Sequence, residues 1–199
     1  MSNLMKNIIG EVSITNLLDD SMLKDMIQNH QVEEVEKRWI KYAEIAASMG
    51  ADAIFSACSS VGEFAEKANE LLNVPVYRID EAMAERAVET ASTISVFATL
   101  ATTLEPTVNL IKRKASSIGK ECVINTVLVS GAYEELMKGN RTLHNQKIQE
   151  AVLKYSDSEA IVLAQASMAS ALEGLSGIDL NKVLTSPVLG IEKLKKDLK

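Results

Sequence analysis

ADAIFSACSSVGEFAE, residues 51–66, sets the architecture, because its character changes midway. Asp52 to Ala57 reads as a buried strand, with Ile54 and Phe55 as its apolar, strand-favouring part. Cys58 and two serines follow, and then a helix. Ser60-Val61-Gly62-Glu63 has the S-x-x-E pattern of a capping box, which predicts that Ser60 caps that helix. Cys58 then falls at the carboxyl end of a strand, beside a helix N-terminus. Exposed amides and the helix dipole at such a place favour anions and lower a thiol pKa. In open α/β sheets the same edge binds ligands. On position alone, a small buried apolar cysteine fits equally well.

A second stretch repeats the first. Residues 159–170 read EAIVLAQASMAS. Laid over residues 52–63, they match Ala160 with Ala53, Ile161 with Ile54, Ala164 with Ala57 and Ser167 with Ser60. Cys58 faces Gln165. Each copy is a strand, a small residue, a polar residue, a serine and a helix. Two such half-sites with strand ends facing each other would make a cleft of pseudo-twofold symmetry.

A chain of 199 residues allows one large domain or two small lobes sharing a core. The net charge is −6 with no long basic run, so nucleic acid is not an expected partner. No apolar run is long enough for a bilayer, so no membrane partner is expected either. The N-terminus, MSNLMKNIIGEV, lacks the apolar core of a signal peptide. Cys58 and Cys122 stand far apart and suggest no disulfide framework, so a cytoplasmic location is expected. His30 and His144 are isolated and no Cys/His cluster has zinc spacing, so no metal site is expected. Neither a Walker nor a Rossmann glycine pattern is present.

Strands and helices alternate along the chain. Ser2 to Ile9 reads as a helix closed by Gly10, and Glu11 to Leu17 as a strand with Val12 and Ile14 on one side. Met22 to Asn29 is a short helical turn and Val32 to Met49 a long amphipathic helix. After the Cys58 unit come a strand, Val74 to Ile79, and a helix from Asp80 to Ala91 with Asp80 as N-cap. The second half opens with a strand, Thr93 to Thr99, a threonine-rich turn to Thr103, and a helix opened by Glu105-Pro106. Then follow a strand from Cys122 to Val129, helices from Tyr133 to Met137 and Thr142 to Tyr155, and the Gln165 strand. A helix from Met168 to about Leu175, a strand from Lys182 to Thr185, a Ser186-Pro187 turn and a helix from Ile191 close the chain. The alternation predicts an α/β fold with mainly parallel sheets flanked by helices. The first half lacks only a counterpart of the Thr93 to Thr99 strand, as if the chain started one strand late.

Several motifs together resemble the aspartate/glutamate racemase superfamily, which also includes hydantoin racemases, maleate isomerases and arylmalonate decarboxylases. They are Ala57-Cys58-Ser59-Ser60, Arg78-Ile79-Asp80-Glu81-Ala82-Met83, Ala98-Thr99-Leu100-Ala101-Thr102-Thr103, Leu163-Ala164-Gln165-Ala166-Ser167-Met168 and Thr185-Ser186-Pro187. The resemblance covers nearly all residues from Val12 onward. It implies two pseudo-twofold-related α/β lobes with the site between them: residues 1–91 with about 186–199 as the first, and 92–185 as the second. It implies cofactor-independent chemistry in which two thiols flank the Cα of a small amino acid or dicarboxylate. One removes a proton as thiolate and the other returns one to the opposite face. Carried over, Cys58 is the first thiol, with Ser59 and Ser60 as carboxylate binders. Thr99, Thr102 and Thr103 belong to a threonine loop at the cleft, and Ala166 and Ser167 to the second half-site. Together with an open sheet edge needing cover, the resemblance implies a homodimer.

Gln165 departs from that pattern by standing where the second thiol belongs. A carboxamide does not titrate, so it cannot be a general base. It could donate a hydrogen bond to a carboxylate or developing oxyanion, or satisfy backbone groups. Ser186 faces the cleft or forms a plain turn, and Asp80 is a helix cap more readily than an acid. Arg78 and Arg141 could hold a carboxylate, although solvated surface charges are the simpler reading. His144 is read as surface or interhelical, and Cys122 as structural. Three functions remain: a racemase, a one-cysteine lyase, isomerase or hydrolase on the same scaffold, and an inactive small-molecule binder.

Overall fold

Ile94, Val96, Phe97 and Ala98 are shielded from solvent in succession, with a buried Ser95 among them. A run with no solvated face suits a strand covered on both sides, as parallel sheets require. In the computed structural model, which describes residues 1–198, this run is β3 (Thr93–Ala98). It pairs in parallel with β4 (Val123–Leu128) on one side and β5 (Ala160–Leu163) on the other. Beyond β5 lies β6 (Val183–Thr185), so the order is β4-β3-β5-β6. A separate parallel pair joins β1 (Ile54–Ser56) to β2 (Val76–Arg78), with Ser56 opposite Arg78. The chain is an α/β fold with parallel sheets, as its alternating pattern predicts.

The two-residue period of a strand sends alternate side chains to opposite faces. In β3, Ile94, Val96 and Ala98 pack on α5 (Glu81–Thr90) and α6 (Ala101–Ser117), through Met83, Ala87 and Ile111. Phe97 faces the other way, into a cluster with Ile148 and Val152 of α8 (Arg141–Leu153). Ala132 of α7 (Ala132–Met137) joins the same cluster. In the smaller sheet, Ile54 and Val76 meet Ala43 of α3 (Val32–Ser48) and Ala65 and Ala68 of α4 (Gly62–Leu71). Phe55 and Tyr77 face Met5 of α1 (Ser2–Ile9) and Ile191 and Leu194 of α9 (Ser186–Asp197). The short helix α2 (Ser21–Gln28) closes over α3 through Met22 and Met26. His144 is fully buried, and its Nδ1–H donates to the Ala132 carbonyl at 2.9 Å, which ties α8 to α7.

Four expectations need correction. Glu11 to Leu17 forms no strand. Ile14 packs against the Met5–Ile191 cluster while Leu17 stays exposed, so the alternation is used for contact without any ladder partner. The threonine-rich segment is no turn: α6 begins at Ala101, which places Pro106 inside the helix. The Thr102 carbonyl thereby loses its i+4 donor. Residues 166–172 form a 3-10 helix in place of an α-helix from Met168. Ser186-Pro187 opens α9 directly. Proline is tolerated there because the first four helical N–H groups have no intrahelical partner in any case.

Helix α9 approaches β2 closely at Gly190, where an added Cβ would lie 2.4 Å from the Ile79 carbonyl oxygen and 3.1 Å from its carbon. Backbone atoms cannot swing aside. Gly190→Ala is expected to destabilise the protein by about 2 kcal/mol, the usual scale of overpacking. A lowered denaturant midpoint at unchanged slope checks this.

Candidate functional site

Parallel strands deliver their carboxyl ends to one edge of a sheet. Beyond β1 of the smaller sheet comes Cys58, and beyond β3, β5 and β6 of the larger one come Thr99, Gln165 and Ser186. Cys58 (φ −130, ψ 116) and Gln165 (φ −114, ψ 138) share an extended backbone, and each caps a 3-10 turn, Ser59–Val61 and Ala166–Leu172 respectively. The two half-sites aligned in the sequence thus have the same local conformation. Cys58 is exposed, whereas Cys122 is half-buried with its thiol 3.7 Å from the Ala91 carbonyl oxygen.

Ser60 does not cap the helix. It lies inside the 3-10 turn, and its hydroxyl bonds the Thr103 hydroxyl at 2.8 Å, with both residues buried. Thr103 in turn sits in the first turn of α6. Its neighbour Thr99 donates both its backbone N–H (2.5 Å) and its hydroxyl (2.8 Å) to Oε1 of Gln165. The junction of β3 and α6 therefore holds the Cys58 turn through Thr103 and Gln165 through Thr99. Because Oε1 accepts both bonds, the Gln165 amide orientation is set. Its Nε2–H₂ has no hydrogen-bond partner among the described residues, which leaves a free donor.

The remaining expected residues divide by burial. Ser59 is buried beside Ser60, while Ala166 and Ser167 are half-buried in the second 3-10 turn. Thr102 Oγ1 and Ser186 Oγ are buried without a protein partner, at the N-terminal ends of α6 and α9. Ser56, at the end of β1, has a buried and unpartnered hydroxyl of the same kind. Its place one step before the Ala57-Cys58 motif is the only sequence signal that could have singled it out.

Arg78 is not a solvated surface charge. It is 4% exposed, and Nε and Nη2 bond the two oxygens of Asp80 at 2.7 and 2.9 Å. Nη1 reaches Glu66 of α4 at 2.6 Å. Burial works against its charge, but Asp80 and Glu66 outweigh burial and raise its pKa above the ordinary arginine value. Asp80 occupies the N-cap position of α5, yet its carboxylate serves Arg78 and makes no cap bond. Arg141 is exposed at the start of α8, as the surface reading has it.

Two open concavities lie away from this edge. One, of about 510 Å³, is lined by Lys112, Lys120 and Cys122, the other, of about 390 Å³, by Gln149, Leu153 and Leu175. Among the described residues no three His, Cys, Asp or Glu side chains cluster as metal ligands, and no helix is long and apolar enough to cross a membrane.

The Asp/Glu/Hydantoin racemase family matches residues 3–190. No curated protein is detectably similar in sequence. Among solved structures, glutamate racemase isoform RacE1 of Bacillus anthracis is 16% identical with a TM-score of 0.78, over 99% of this chain and 76% of that one. Glutamate racemase of Francisella tularensis, solved with D-glutamate, is 14% identical with a TM-score of 0.73, over 99% and 74%. An aspartate racemase homologue of Pyrococcus horikoshii is 19% identical with a TM-score of 0.66, over 98% and 92%. At these identities the likeness is one of fold.

The Ser60–Thr103 bond can be isolated by a double-mutant cycle. Ser60→Ala and Thr103→Val should each cost about 1–2 kcal/mol by orphaning the buried partner. The double variant should cost clearly less than their sum. Denaturant unfolding of the four proteins reads the coupling.

Proposed function

The chain belongs to the Asp/Glu/hydantoin racemase family, and on that premise we propose that it moves the Cα proton of a small amino acid or carboxylate without a cofactor, using Cys58 as proton carrier. The observation that carries the reading is an exposed cysteine at the N-cap position of a 3-10 turn just beyond the carboxyl end of β1, with two serines following it. The Cys58 thiolate takes the Cα proton, and the C–H electron pair moves into the carboxylate to give an enediolate. Ser59, Ser60, Thr99, Thr102, Thr103, Ser167 and Ser186, with the backbone at Ala166, form the carboxylate-binding surroundings. The free Nε2–H₂ of Gln165 donates to the developing oxyanion, where a fixed donor is most effective.

Gln165 cannot carry a proton to the second face. In this reading water protonates that face, and the thiol proton neutralises the hydroxide left behind. The product is the opposite enantiomer, formed more slowly than with a second thiol in place. The same non-titrating residue favours a second reading, a one-cysteine lyase, isomerase or hydrolase with Cys58 as nucleophile or sole acid-base group. The site lies between two proposed lobes, 1–91 with about 186–199 and 92–185, in a cytoplasmic homodimer. The D-glutamate bound by the Francisella enzyme makes glutamate and aspartate the first substrates to try.

Proton NMR in D₂O, with chiral chromatography, tests the proposal. Deuterium should enter Cα of one of these amino acids. Cys58→Ala should lower that rate by about 10²–10⁴-fold, the usual weight of a general base. Both enantiomers should form, and Gln165→Cys should raise the share of inversion. Exchange that survives Cys58→Ala overturns the role of the thiol. Binding with no exchange in the native protein overturns the enzyme reading in favour of a binder.

A further inference from the structure

The segment that carries Cys58 runs unbroken into α4, so the first turn of α4 decides where the thiol stands. Gly62 is the first residue of that helix, with an ordinary helical φ of −60. Glycine is therefore not required there for backbone conformation. It is required for space. A Cβ on Gly62 would lie 2.3 Å from Nη2 of Arg78, 2.4 Å from Cζ and 2.7 Å from Nε. The guanidinium plane lies flat against the helix start. Glu66, four residues on and so on the same helix face, takes Nη1 at 2.6 Å. The other side of the guanidinium is held by both oxygens of Asp80, which is fully buried. Ser56, the register partner of Arg78, points to the same face of its sheet with an unpartnered hydroxyl.

We propose that Arg78 is a positioning residue for Cys58: locked by Asp80, its guanidinium is the seat for the first turn of α4, and it sets how the turn's amides meet the thiol. The turn is then held from two sides, by Thr103 through Ser60 and by Arg78 through Gly62 and Glu66. Glu66 also receives Arg113 of α6 at 2.8 Å, so the seat is tied to the helix that holds Thr103. A bidentate planar cation suits this place, and lysine does not replace it, because a point charge cannot bond two Asp80 oxygens and Glu66 while lying flat under a backbone. The proposal rests on Cys58 being a reactive thiol, but it does not need turnover.

The test is the rate of alkylation of Cys58 and Cys122 by iodoacetamide at one fixed pH, read by mass spectrometry on the full chain. In Arg78→Lys the rate at Cys58 should fall about threefold, the size of a helix-end contribution to an exposed charge. Cys122 should be unchanged. Gly62→Ala should do the same by displacing the guanidinium. If Arg78→Lys does not fold, Glu66→Gln decides with the same readout, since it leaves the Arg78–Asp80 pair intact and weakens the hold of Arg78 and Arg113 on α4. A folded variant with lowered thermal stability and a native Cys58 rate overturns the positioning role and leaves Arg78 a structural ion pair. A native Cys58 that reacts more slowly than Cys122 overturns both this proposal and the thiol reading. Loss of Cα exchange in a variant whose Cys58 rate is native counts against Arg78 alone.

Discussion

The parallel pairing of β3 on both sides constrains everything at the site edge. Phe97 stands opposite Leu163, and the Ala164 N–H still bonds the Phe97 carbonyl at 2.9 Å. One step further the ladder has no strand to continue into, and the Thr99 N–H would be left without a carbonyl. The side-chain oxygen of Gln165 takes that place. A buried amide hydrogen cannot go unpaired without a cost of about 1–3 kcal/mol, so this residue closes the sheet as well as facing the edge. On the other side of β3 the ladder does continue, with the Val129 N–H bonding the Ala98 carbonyl. The edge that carries the hydroxyls is thus held at its centre by a strand with no freedom to shift.

Charge is arranged around the edge and kept out of its centre. The residues just beyond β1, β3, β5 and β6 are hydroxyls, a thiol and an amide. The buried cation nearby, Arg78, is neutralised by Asp80 within its own neighbourhood, as a desolvated charge must be. Farther out, Lys114 and Lys193 both reach Glu81 and Glu85, which links α6 and α9 through α5. Burial pushes the Glu85 carboxyl up, but the two lysines outweigh it and hold it below its usual range. Such half-exposed pairs add little stability one by one. They do fix the relative placement of the three helices.

Much of the architecture was legible because it is written in local pattern. Strand–helix alternation, the helix closed by Gly10 and the long amphipathic helix ending near Gly50 all depend on neighbours within a few residues. The likeness of residues 52–63 to 159–170 foretold that Cys58 and Gln165 share one backbone conformation. The misreadings came where a local pattern had more than one tertiary use. In the Val12–Ile14 alternation, Ile14 serves packing beside α1 and α9, since no strand lies alongside. The S-x-x-E motif at Ser60 looks like a cap, but the 3-10 turn carries its hydroxyl toward α6.

The sequence by itself determined the class of fold, the family likeness and the likeness of the Cys58 segment to the Gln165 segment, because each is set by residue type and short-range spacing. Only the tertiary structure decided what these residues touch. Ser60 meets Thr103 across 43 positions and Thr99 meets Gln165 across 66. Arg78, with the same motif and charge on paper as a surface arginine, is buried because Gly62 and Glu66 come to lie over it. Hydrogen-bond partners and burial are properties of chain segments brought together from far apart, and no local propensity encodes which segments will meet.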